Sequence, residues 1–185
     1  MSSAPAFVLD PELTPRLRAA LLACWVDVTN AGGAVGFVAP LTEADVAPVA
    51  EHAFARLAAG PDQLLVAYDG AGELAGWLVF TPRPNPLMHH WRTLVRVQVH
   101  PRFQGQGYGG ALLAEAVRLA RTAGWSFLHL TVRGGTGYER FYQRYGFVEV
   151  GRLPGAIRVG PGDDRDELVL VCALDGVALD AESAA

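Results

Sequence analysis

The sequence predicts an α/β fold, and three observations carry that expectation. Segments with apolar residues at helical spacing alternate with short runs of β-branched residues. The hydrophobic share, 51% of 185 residues, is enough to build a core of one-domain size. One β-branched run, ending Val97-Gln98-Val99, passes through a glycine-rich turn directly into a strong helix pattern. A single domain is expected, with its core over about residues 7–174 and a loose tail over 175–185.

The first helix is expected from Thr14 to about Val28, because Leu17, Leu21, Cys24, Trp25 and Val28 fall on one face. Thr29-Asn30-Ala31-Gly32-Gly33 ends it and opens a flexible loop. Thr42 with Asp45 forms a variant capping box for a second helix, which runs to about Ala58 and closes at Gly60-Pro61. Gln63 to Tyr68 and Glu73 to Phe80 are strands, joined by the hairpin signal Asp69-Gly70-Ala71-Gly72. Pro82-Arg83-Pro84-Asn85-Pro86 is too proline-rich for regular structure. A long strand, His90 to Val99, follows, then a helix from Ala111 to Ala123 and a strand from Phe127 to Val132. A short tyrosine-bearing helix precedes Phe147–Gly151. Arg152 to Asp166 is expected as a long link before the last strand, Asp166 to Leu174.

Composition narrows the function classes. No apolar run reaches the roughly 18–20 residues of a membrane span, and Met1 to Pro5 lacks the basic and apolar layout of a signal peptide. Cys24 and Cys172 are isolated and have no ligand-like spacing, so small core residues are expected rather than a disulfide or a metal site. The net charge of −4 argues against nucleic acid as a partner and suits a cationic acceptor. All fifteen basic residues are arginine, as in proteins of high-GC genomes. A cytoplasmic protein is the expectation, with no metal, no membrane span and no nucleic-acid partner.

The turn after the long strand carries the chemistry. His100-Pro101-Arg102-Phe103-Gln104-Gly105-Gln106-Gly107-Tyr108-Gly109-Gly110 leads a β-branched run into a helix. Such a turn aims backbone N–H groups at one point, at the positive end of a helix dipole, and its glycines let an anion approach closely. A Walker loop is excluded, because Gly107 precedes Tyr108 where that motif needs lysine and a hydroxyl residue. A dinucleotide fold needs an acidic residue at the end of the next strand, and Phe127-Leu128-His129-Leu130-Thr131-Val132 has none.

Gln104-x-x-Gly107-x-Gly109, after Val-x-Val-x-Pro, resembles the acetyl-coenzyme A loop of the GNAT family of N-acetyltransferases. A second segment, Arg133-Gly134-Gly135-Thr136-Gly137-Tyr138-Glu139-Arg140-Phe141-Tyr142-Gln143-Arg144-Tyr145-Gly146-Phe147, is similar to that family's later motif. The resemblance spans roughly Leu64 to Leu174. It implies a mixed, mostly antiparallel central sheet flanked by helices, whose fourth and fifth strands splay around the pantetheine arm. It also implies acetyl-CoA as co-substrate and a primary amine as acceptor.

Carried residue by residue, the resemblance puts the coenzyme on Val97, Gln98, Val99, Gln104, Gly105, Gln106, Gly107, Tyr108, Gly109 and Gly110, with the Val97 N–H as oxyanion donor and Val99 pairing to pantetheine. Tyr142 is the implied general acid, since a phenol stays protonated at neutral pH and can give its proton to a thiolate. Many members carry Asn seven positions before that tyrosine; this chain has Gly135. Trp25, Asn30 and Phe37 lie in the segment that usually lines the acceptor pocket. No base is singled out among His89, His90, His100, Glu73 and Glu139. The Arg-Gly-Gly-Thr-Gly block is similar to that of small-molecule members, some of which modify amino-sugar antibiotics such as kasugamycin. Clustered Asp163, Asp164 and Asp166 could attract a polycation or be a solvated turn. A peptide amine acetyltransferase, a non-catalytic acyl-CoA sensor and a homodimer remain open at this point.

Overall fold

A computed structural model describes residues 4–176 and 179. The expected signal-free start, at Met1–Ser3, and most of the expected tail lie outside the described residues. By internal packing the chain forms two compact units, residues 1–82 with 94–116 and residues 83–93 with 117–185. The fold class is the expected mixed α/β, with seven strands that pair mostly antiparallel.

The first unit begins with a strand absent from the sequence expectation, β1 (Ala6–Leu9), which pairs antiparallel with β2 (Gln63–Tyr68). Its four residues are nearly all exposed, so they show no alternation to read. Helix α1 (Pro15–Asn30) starts where Thr14 accepts a hydrogen bond from the Leu17 amide at 3.2 Å, and Pro15 occupies the first turn, where its missing N–H costs nothing. Helix α2 (Glu43–Ala59) has the capping box of Thr42 and Asp45 and ends on Gly60 at φ 88°. β2 and β3 (Leu74–Pro82) form the expected hairpin, and the strand order in this unit is β1-β2-β3-β4, with β4 (Trp91–Val99) continuing into the second unit.

The five helix-face residues predicted for α1 are all buried, against Val46, Ala50 and Phe54 of α2 and Leu64, Val66, Trp77 and Val79 of the sheet. Each fully buried aliphatic side chain there contributes about 1.5–3 kcal/mol. Arg56 holds Asp62 with two hydrogen bonds, at 2.6 and 2.7 Å, and so joins the end of α2 to the start of β2.

In the second unit the order is β4-β5-β7-β6. β5 (Phe127–Arg133) runs parallel to β4 from Trp91↔Phe127 to Thr93↔His129 and antiparallel to β7 (Asp163–Ala173) along its whole length. The long link expected over Arg152–Asp166 is instead strand. β6 (Val148–Gly160) turns at Gly162, φ 75°, into β7. β6 has only intermediate and exposed positions, and register shifts interrupt its pairing, so no period survives in its sequence. Helix α3 (Tyr108–Thr122) starts three residues earlier than expected and runs through both units; α4 (Tyr138–Gln143) is the short tyrosine helix.

Gly76 of β3 lies where only a hydrogen fits. An added Cβ would stand 2.7 Å from the Gln98 carbonyl oxygen and 3.2 Å from a Val99 methyl. Gly76→Ala is expected to cost about 1–3 kcal/mol and to lower the melting temperature by several degrees. An unchanged thermal melt would disprove this close approach.

Candidate active site

The loop after β4 is built from inside outward. His100 donates its amide to Ala75 at 2.9 Å, and its ring caps the turn Pro101–Phe103 by accepting from the Arg102 amide at 3.2 Å. The other ring nitrogen lies 3.1 Å from the Asp27 carboxylate on α1. Phe103 and Tyr108 turn inward, ring centres 5.3 Å apart, and pack with Ala75 and Val99. Both ends of the turn are thus anchored in a small core.

Between those anchors, Gln104, Gly105, Gln106 and Gly107 are exposed. Gly105 (φ 73°) and Gly107 (φ 88°) are left-handed, a conformation that lets successive amides face one way. Helix α3 closes its first hydrogen bond from the Ala111 amide to the Gly107 carbonyl. The amides of Tyr108, Gly109 and Gly110 have no acceptor within the helix, as the first turn of any α-helix requires. Gln104 turns inward and donates its side-chain amide to the Val99 carbonyl at 2.8 Å; Gln106 donates to the Arg102 carbonyl at 2.7 Å. Both glutamines therefore brace the loop through their side chains.

β4 holds the least regular feature of the first unit. Arg96 has φ 55°, a left-handed conformation rare for a side-chain-bearing residue. Val95 packs on the α1–α2 core, and the next side chain, Arg96, lies on the same side, its guanidinium 4.6 Å from the Trp25 ring centre. Two consecutive side chains on one face mark a bulge. The bulge redirects the peptide between Arg96 and Val97, the residue expected to offer an oxyanion donor. Nothing in the sequence pattern marks it, since Arg96 there is one more polar position in an alternating strand.

Trp25 and Phe37 meet edge to face at 5.6 Å, and Trp25 donates its indole N–H to the Val35 carbonyl at 2.8 Å. Asn30 is the last residue of α1. Its amide clamps Leu41 from both sides, donating to the carbonyl at 2.8 Å and accepting from the amide at 2.9 Å, and so ties down the far end of the α1–α2 loop. Cys24, buried beside these rings, has its thiol pushed up to about 12 by burial.

Tyr142 stands on α4 in the second unit, its ring packed against Phe141 and Phe147 at 5.2 and 5.8 Å. Burial first, and then the neighbouring Tyr138, push its phenol above the ordinary tyrosine range. Thr136 supports the helix start, donating to the Arg133 carbonyl at 2.8 Å. Gly135 sits at φ 77°, and a Cβ there would meet the Arg165 guanidinium at 2.7 Å, which accounts for glycine at this place.

The three clustered aspartates are neutralised. Asp163 pairs with Arg165, Asp164 with Arg158 at 2.7 and 2.8 Å, and Asp166 with Arg152 at 3.0 Å and the Gly155 amide at 3.1 Å. Those partners hold all three carboxyls below the usual range. Sequence reasoning also passed over His129, a strand residue whose ring nitrogen lies 3.2 Å from the Thr93 hydroxyl. Burial, with the Arg83 charge adding to it, lowers its pKa. Among the described residues no three His, Cys, Asp or Glu side chains group as a metal site, and no helix is long and apolar enough to cross a membrane.

The sequence model of a family described as "Acetyltransferase (GNAT) family" matches residues 39–147. Solved structures share the fold over nearly the whole chain. Ribosomal-protein-alanine N-acetyltransferase from Brucella melitensis is 25% identical, with a TM-score of 0.73, over 90% of this chain and 99% of that one. An N-acetyltransferase from Staphylococcus aureus Mu50 is 16% identical, TM-score 0.74, over 93% and 99%. The yncA protein of Salmonella typhimurium, solved with its cofactor acetyl-CoA, is 20% identical, TM-score 0.73, over 96% and 98%.

The Asn30 clamp yields a test. Asn30→Ala removes two hydrogen bonds to the Leu41 backbone and is expected to cost about 1–2 kcal/mol, read as a lower urea midpoint with an unchanged slope.

Proposed function

Because the chain belongs to the GNAT family of acetyltransferases, which transfer acetyl from acetyl-CoA to amines, we propose that it acetylates the primary amine of a small molecule, within a single catalytic domain over residues 7–174. The observation that carries this reading is the exposed turn Gln104–Gly107, with two left-handed glycines, anchored at Phe103 and Tyr108 and opening the first turn of α3. Backbone donors at a helix N-terminus are what a pyrophosphate requires. The exposed Arg102 adds positive charge beside them.

Acetyl-CoA, when bound, supplies the acyl thioester. The amides from Gly105 to Gly110 would hold its pyrophosphate, and the backbone of Val97 and Val99 would align its arm. The Val97 N–H, turned by the bulge at Arg96, would donate to the carbonyl oxygen as negative charge develops there. The nitrogen lone pair of the acceptor forms the new C–N bond as the C–S bond breaks. Tyr142 would give its proton to the departing sulfur, and the amine's surplus proton leaves to water or a base. Burial keeps the Tyr142 phenol in its acid form through neutral and mildly alkaline pH.

Retention of a tyrosine at this place favours an enzyme over a sensor that only binds acyl-CoA. Within small amines, the sequence resemblance points to an amino sugar, including antibiotics of that class. The arginine-paired aspartates of β6 and β7 give such a polycation no free lure. A homodimer is supported by β6, an edge strand with Val150 and Leu153 40% and 58% exposed.

Two variants test the assignment. Gly107→Val forces a β-branched side chain into a left-handed position where an anion would approach, and is expected to raise the acetyl-CoA dissociation constant at least about tenfold. Retained affinity by calorimetry would remove the loop from the site. Tyr142→Phe is expected to leave acetyl-CoA affinity intact and to lower kcat about a hundredfold, with no alkaline limb of the parent enzyme assignable to this residue below pH 10. Unchanged turnover in a thiol-release assay would refute the acid role.

A further inference from the structure

The ring of His100 makes two hydrogen bonds of opposite sense, both within the first unit. Its Nδ1 accepts from the Arg102 amide at 3.2 Å, and its Nε2 lies 3.1 Å from a carboxylate oxygen of Asp27 on α1. A backbone N–H can only donate and a carboxylate can only accept. The two partners together therefore assign the tautomer, with the proton on Nε2 and the lone pair kept on Nδ1.

The bond at Nδ1 completes the hydrogen bonding of the turn Pro101–Phe103. The His100 amide donates to Ala75 at 2.9 Å, Pro101 has no N–H, and the Phe103 amide donates to the His100 carbonyl at 2.8 Å. Arg102 holds the one orphan donor of the turn, and the His100 ring takes it. His100 itself is extended, φ −54° and ψ 137°, as the following proline requires. Arg102 then passes the restraint on, because its carbonyl accepts from the Gln106 side chain at 2.7 Å. Gln106 stands between the left-handed Gly105 and Gly107, inside the exposed stretch. The usual capping residues are Ser, Thr, Asp and Asn. Histidine differs from them in offering a second nitrogen, and here that nitrogen reaches a different element, α1.

We propose that His100 and Asp27 are positioning residues for the coenzyme. Asp27 holds the His100 proton on Nε2, and the unprotonated Nδ1 fixes the Arg102 amide and, through it, the turn Gln104–Gly107 that receives the pyrophosphate. This rests on the acetyltransferase reading, in which acetyl-CoA is the ligand of that turn. The role acts through the backbone, so it requires a hydrogen-bond acceptor at residue 100 and not an aromatic ring.

Calorimetry of the full chain with acetyl-CoA tests this, with circular dichroism confirming the fold of each variant. His100→Ala is expected to raise the dissociation constant about three- to tenfold, the range of one hydrogen bond. His100→Asn supplies a side-chain oxygen that reaches the amide two residues on, and is expected to return the constant to within about twofold of the parent. His100→Phe keeps a ring that can pack near Phe103, 6.1 Å from the native one, yet has no acceptor, and is expected to bind as weakly as His100→Ala. Asp27→Ala is expected to weaken binding about two- to threefold in the parent and to change nothing in His100→Asn, where no tautomer remains to be fixed.

Rescue by phenylalanine and not by asparagine makes His100 a packing residue and overturns the proposal. Equal affinity in the parent, His100→Ala and His100→Phe overturns it too, and leaves the acetyltransferase reading intact. An Asp27→Ala effect of the same size with and without His100 removes Asp27 from the relay. A parent chain that does not bind acetyl-CoA refutes the acetyltransferase reading and this role together.

Discussion

The left-handed backbone at Arg96 is the constraint on which the first unit's site depends. Holding a residue with a Cβ at φ 55° costs about 1–3 kcal/mol, and the surrounding packing must supply it. Val95 is fixed in the α1–α2 core, the guanidinium lies on Trp25, and Trp25 is itself fixed by its bond to Val35 and by contacts with Phe37 and Trp77. The strand is therefore pinned on both sides of the irregularity. What it gains is a change of face, with Val95 and Arg96 on the same side.

The loop that follows combines an exposed backbone with a fixed shape. Its exposed stretch is four residues long and is closed at each end by a buried aromatic ring. Gln104 and Gln106 spend their side chains on the backbone of Val99 and Arg102, so the loop's shape is held by internal hydrogen bonds. Gln104 thus serves the loop by its reach back to the preceding strand.

The second unit shows how charge counts mislead. Three carboxylates, Asp163, Asp164 and Asp166, fall close together in β7, and their sequence alone leaves both an acidic lure and a solvated turn open. Each of Asp163, Asp164 and Asp166 has an arginine across or along the hairpin, and Arg152 also takes Glu149. Exposed pairs of this kind contribute little to stability. Their consequence here is electrostatic, because they remove the free negative charge on which attraction of a polycation would rest.

Local pattern alone determined much of this protein. The helical faces of α1 and α2, the caps at Thr14, Thr42 and Gly60, the β2–β3 hairpin and the glycine turn into α3 all follow from short-range periodicity and backbone chemistry, which neighbours in sequence impose on one another. The short helix that carries Tyr142 and the left-handed turn at Gly105 and Gly107 were legible because fixed spacing within one turn or helix places them. β1 and the outer part of β6 were not, since mostly exposed strands carry no hydrophobic period and exist only through their partners. The bulge at Arg96, the clamp of Asn30 on Leu41 and the neutralised aspartates were decided by tertiary structure. Each depends on which residues distant in sequence arrive beside it, and that is settled by packing and hydrogen-bond satisfaction rather than by spacing along the chain.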